Sequence, residues 1–69
     1  MSIAKVIEVM AEGGSIEKAI ENAVKEAGRT VKNIRSVYIN DTQALVRDGE
    51  VTKYRVNVKL TFVVGGDDD

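Results

Sequence analysis

A chain of 69 residues with 10 Lys and Arg, 11 Asp and Glu, and no cysteine, histidine or tryptophan is one domain at most. Disulfides, zinc sites and thiol chemistry are excluded by composition. The near-neutral charge, without a basic patch or stacking aromatics, argues against nucleic-acid binding. No apolar run approaches the ~20 residues that span a bilayer.

The first element is expected from Ile3 to Met10, a short Ile- and Val-rich strand ended by Gly13 and Gly14. Ser15 then stands as a helix N-cap, with Glu17 in the first turn to complement the helix dipole. Lys18 occupies the place where a Glu or Gln would complete a capping box. From Ile16 the period becomes helical: Ile16, Ala19, Ile20, Ala23, Val24 and Ala27 recur at spacings of three and four and form one apolar stripe. Its alanines let the helix lie close on a sheet. Gly28 weakens the last turn, and Thr30 and Val31 lead out of it.

The third element, Ile34 to about Val46, is strand-like but irregular, and the polar "NDTQ" at 40–43 predicts a bulge or an edge. Asp48-Gly49 is a hairpin signal. In the fourth element Tyr54, Val56, Val58, Leu60, Phe62 and Val64 alternate with Lys53, Arg55, Asn57, Lys59 and Thr61. One face is therefore apolar core and the other cationic and polar. "GGDDD" closes the chain, so that residues 1–64 form the domain and residues 65–69 a flexible acidic tail.

The order is β-α-β-β, an α+β subunit with a three-stranded antiparallel sheet wrapped around one helix. So small a domain buries only ~60% of the surface its unfolded chain exposes. With disulfides and zinc excluded, self-association is the expected reinforcement. The open sheet edges and the uncovered second sheet face argue for assembly independently.

"KVIEV" (5–9), "SIEKAIENAVKEA" (15–27), "TVKNIR" (30–35) and "DGEVTKYRVNVKLTF" (48–62) together resemble the dodecin family, over nearly the whole ordered chain. The resemblance implies a hollow homododecamer with helices outward and sheets lining the inside. It also implies a non-enzymatic flavin-storing or flavin-buffering protein. In such proteins paired flavins (riboflavin or its phosphate, FMN) stack near two-fold axes between tryptophans that follow the "TVxNIR"-like stretch. A glutamine on the last strand hydrogen-bonds the ring. In this chain the tryptophan position is Ser36 and the glutamine position is Arg55. Losing a stacking ring costs roughly 1–3 kcal/mol, one to two decades of affinity. Arg55 can donate hydrogen bonds or stack as a guanidinium plane, but it offers no acceptor to a ring N–H. Tyr38 shares the face of Ser36 but lies about 7 Å along the strand.

The sequence thus predicts a small-ligand binding or storage particle with flavin binding weakened or lost. Ser36, Tyr38 and Arg55 line the site, and the partner is an aromatic or anionic molecule. Lys53, Arg55 and Lys59 form a basic ladder on the face that the resemblance implies is turned to the lumen. It either captures anions or is a solvated rail paired with neighbouring acids. Asn40, Asp41, Asp48 and Glu50 offer oxygens suited to calcium, but without EF-hand spacing. Some relatives without the tryptophan are described as calcium binders. A particle that binds cations, or a scaffold without a specific ligand, is therefore the alternative. No nucleophile motif is present, so no enzyme is expected. The N-terminus lacks the pattern of a secretory signal, and the expected location is cytoplasmic.

Overall fold

The computed structural model describes residues 2–65; the acidic residues assigned to the tail, Asp67, Asp68 and Asp69, lie outside the described residues. Four elements follow in order: β1 (Ser2–Gly13), α1 (Ile16–Ala27), β2 (Ile34–Arg47) and β3 (Glu50–Gly65). They form one antiparallel sheet of order β1-β3-β2 with a single helix on one face. This is the expected β-α-β-β arrangement.

The cleanest alternation belongs to β3 because it is the central strand, paired on both sides. Val56, Val58 and Leu60 are each 0% exposed and meet Ala19, Ala23 and Ala27 of α1. Small helix residues against large strand residues bring helix and sheet close, while Ile20 and Val24 pack at the margins. Tyr54, Phe62 and Val64, expected on the same core face, are only partly covered, and Val64 is exposed. The 12-residue helix is about 18 Å long, whereas the subunit extends 52 Å. The ends of β3 therefore project beyond it.

Ser15 caps α1 as expected, its Oγ accepting from the Lys18 N–H at 3.0 Å. Strand β1 outlasts its expected end by three residues, because Ala11, Glu12 and Gly13 pair with Val56, Arg55 and Tyr54. Gly13 does not interrupt the strand; it ends it where the helix begins. A Cβ there would stand 2.7 Å from the Ala19 nitrogen and 2.9 Å from the Lys18 carbonyl carbon. Asn22 adds a second tie across this junction, its Nδ2 donating to the Glu12 carbonyl at 2.8 Å.

The β2–β3 hairpin turns at Asp48 (φ 52°) and Gly49 (φ 78°), the paired left-handed residues of a type I′ turn. Strand β2 carries three breaks in register, between Ile34 and Ser36, Ile39 and Asp41, and Leu45 and Val46. The second falls within the predicted "NDTQ" irregularity.

Candidate functional site

The face of the sheet opposite α1 is open. Directly paired antiparallel residues share a face, so the register defines its rungs: Val6–Thr61–Ser36, Glu8–Lys59–Tyr38, Met10–Asn57–Asp41 and Glu12–Arg55–Gln43, with Leu45–Lys53 beyond. The bulge between Ile34 and Ser36 is what divides these neighbours, leaving Ile34 opposite Phe62 on the helix side and Ser36 opposite Thr61 on the open side. Ser36 is exposed and Tyr38 is 66% exposed. With Val6 and Met10, also largely exposed, they give this face apolar surface between the charges.

Ser36 and Arg55 are not neighbours in one subunit. Their β3 register positions, Thr61 and Arg55, are six residues apart, about 20 Å along the strand. Tyr38 lies between them, opposite Lys59. A compact ligand touching both Ser36 and Arg55 would need them from different copies of the chain.

Arg55 is already engaged. Its Nε and Nη2 donate to Glu12 Oε2 at 3.1 and 2.8 Å, and its Nη1 reaches Gln43 Oε1 at 3.5 Å. Lys53 approaches the other Glu12 oxygen at 4.0 Å. Lys59 faces Glu8 in register. The basic ladder thus runs beside an acidic one with the same spacing: Glu8 and Glu12 on β1 match Lys59 and Arg55 on β3. Sequence reasoning did not single out Glu12 or Gln43. The signal for Glu12 was present in that shared four-residue spacing, but only the register reveals that the two ladders meet.

Beside the Glu12–Arg55 pair is an open depression of about 510 Å³ lined by Met10, Ala11, Glu12 and Arg55. Near it, Asn57 Oδ1 is buried without a hydrogen-bond partner among the described residues.

The cation candidates are spread along the hairpin. Asp41 faces Asn57, Asp48 is in the turn, and Glu50 pairs with Arg47. Among the described residues no three carboxylates gather into a metal-ligating group. No helix among them is long and apolar enough to cross a membrane.

No curated protein sequence matches the chain. Solved structures do match in fold. The dodecin from Streptomyces davaonensis superposes with a TM-score of 0.88 at 18% identity, over 94% of this chain and 97% of that one. The dodecin from Streptomyces coelicolor gives a TM-score of 0.87 at 24% identity, over 96% of each chain. A point mutant of the Thermus thermophilus dodecin gives 0.87 at 18% identity, over 96% of this chain and 100% of that one. The Dodecin family profile matches residues 3–65. The chain therefore belongs to the dodecin family of small, non-enzymatic ligand-binding proteins.

Proposed function

We propose that this protein is a ligand-binding or storage particle, a hollow homododecamer whose flavin site is weakened at both positions that usually grip the ring. The observation that carries this reading is the state of Arg55. The residue at the glutamine position is held by Glu12 at 2.8 and 3.1 Å rather than left open to a ring edge. Ser36 at the tryptophan position supplies no stacking surface, and the exposed Tyr38 beside it is left to line a wider pocket.

Assembly is supported by the exposed apolar side chains Val6, Met10, Tyr38, Val46 and Val51 and by the two outer strands of the sheet. The ligand best suited to such a face is a flat aromatic with polar edges, lying across apolar positions between charged rungs.

Two measurements test the reading. Native mass spectrometry is expected to give a dodecamer; a monomer at working concentration would contradict it. Titration with riboflavin is expected to show weak fluorescence quenching that saturates only at high protein concentration. Tight, stoichiometric quenching would overturn the weakened site.

A further inference from the structure

We propose that Glu12 is a specificity-determining residue of the open face: by occupying the Arg55 guanidinium it steers the site toward uncharged ligands and away from phosphate-bearing ones. The proposal rests on the reading of this face as the ligand site.

Glu12 is placed for this role by three independent constraints. The β1–β3 register sets it directly opposite Arg55. Asn22 of α1 holds its backbone carbonyl at 2.8 Å. The next residue, Gly13, is packed against the helix backbone at Lys18 and Ala19. The carboxylate is thus delivered by a rigid strand end, and one of its oxygens accepts two of the guanidinium's N–H bonds.

A guanidinium is a planar fork suited to carboxylates and phosphates. Here an internal carboxylate takes the edge that an incoming anion would use. Lys53 lies 4.0 Å from the same carboxylate, so Glu12 offsets the positive charge of Lys53 as well as that of Arg55. Both partners of the Arg55–Glu12 pair are about a third exposed or more, so water screens it and its contribution to stability is small. Its consequence falls on binding: an anion must displace Glu12 or sit beside a like charge. An uncharged aromatic crossing Met10 meets neither cost.

Removing the carboxylate while keeping the shape reads this out. Inorganic pyrophosphate is the probe, measured by calorimetry on the native chain, on Glu12→Gln, and on Glu12→Gln combined with Arg55→Gln. The single variant is expected to bind pyrophosphate several-fold to about tenfold more tightly than the native chain. The double variant is expected to lose that gain. Equal affinity of the single variant and the native chain, absence of binding to both, or a gain that survives loss of Arg55 would each overturn the proposal. Circular dichroism and native mass establish that the variants fold and assemble, and Glu12→Ser is the substitute should the glutamine variant fail to do so. Riboflavin quenching on the same proteins separates the two readings. A pyrophosphate gain without any riboflavin response sinks the flavin site and leaves the exclusion of anions by Glu12 standing. Riboflavin binding with no pyrophosphate gain sinks the role of Glu12 alone.

Discussion

The two faces of one sheet differ in kind. On the covered face Val56, Val58 and Leu60 are fully buried under the helix alanines; alternating with them on the same strand, Arg55, Asn57, Lys59 and Thr61 point the other way. The covered face is apolar, closely packed and intolerant of volume change. The open face is a set of cross-strand rungs, partly exposed and individually weak. Stability is therefore concentrated on one side of β3 and the proposed ligand site lies on the other, and substitutions should sort by the parity of their position.

The strongest test of that division is Leu60→Ala. Removing a fully buried side chain from the centre of the packed cluster is expected to destabilise by about 2–5 kcal/mol, seen as a lower midpoint in denaturant unfolding. Ligand affinity, measured where the variant is still folded, should stay near native. A loss of affinity as large as the loss of stability would show that the faces are coupled. Ser36→Trp is the opposite arm. On an exposed open-face position it should leave unfolding nearly unchanged while strengthening riboflavin quenching by roughly one to two decades. An unaltered titration would mean that stacking at this position does not govern binding.

Gly13→Ala probes the junction where the end of β1 meets the helix. A Cβ at 2.7 Å from a backbone nitrogen forces strand end and helix apart, with an expected cost of about 1–3 kcal/mol in thermal or denaturant unfolding. A neutral result would mean that the helix start can shift freely, and Glu12 with it. Ser15→Ala removes the capping acceptor of the Lys18 N–H. It should cost about 1 kcal/mol, visible as a small fall in Tm, without any effect on ligand binding.

The covered face was largely legible in the sequence because its determinants are local. The alternation from Tyr54 to Val64, the Ser15 cap, the alanine stripe and the Asp48-Gly49 turn each fix an element without reference to the rest of the chain. What the sequence concealed is non-local. Glu12 and Gly13 do not look like strand residues, and their strand character comes from pairing with Arg55 and Tyr54 far along the chain. The engagement of Arg55 was hidden for the same reason. So was the separation of Ser36 from Arg55, since it depends on how β2 lies against β3. The bulges themselves were only partly visible. "NDTQ" betrayed one through its polarity, while that at Arg35 sits in ordinary strand-forming surroundings.

Those bulges have a consequence for solubility. Strand β1 pairs with β3 through twelve consecutive positions without a break, whereas β2, the other outer strand, is interrupted three times in fourteen residues. An uninterrupted outer strand is a template on which further chains can add indefinitely, as in a fibre. A repeatedly bent one offers no continuous row of donors and acceptors. With only one regular border, the sheet resists endless lateral growth and favours, in any association, the finite assembly proposed above.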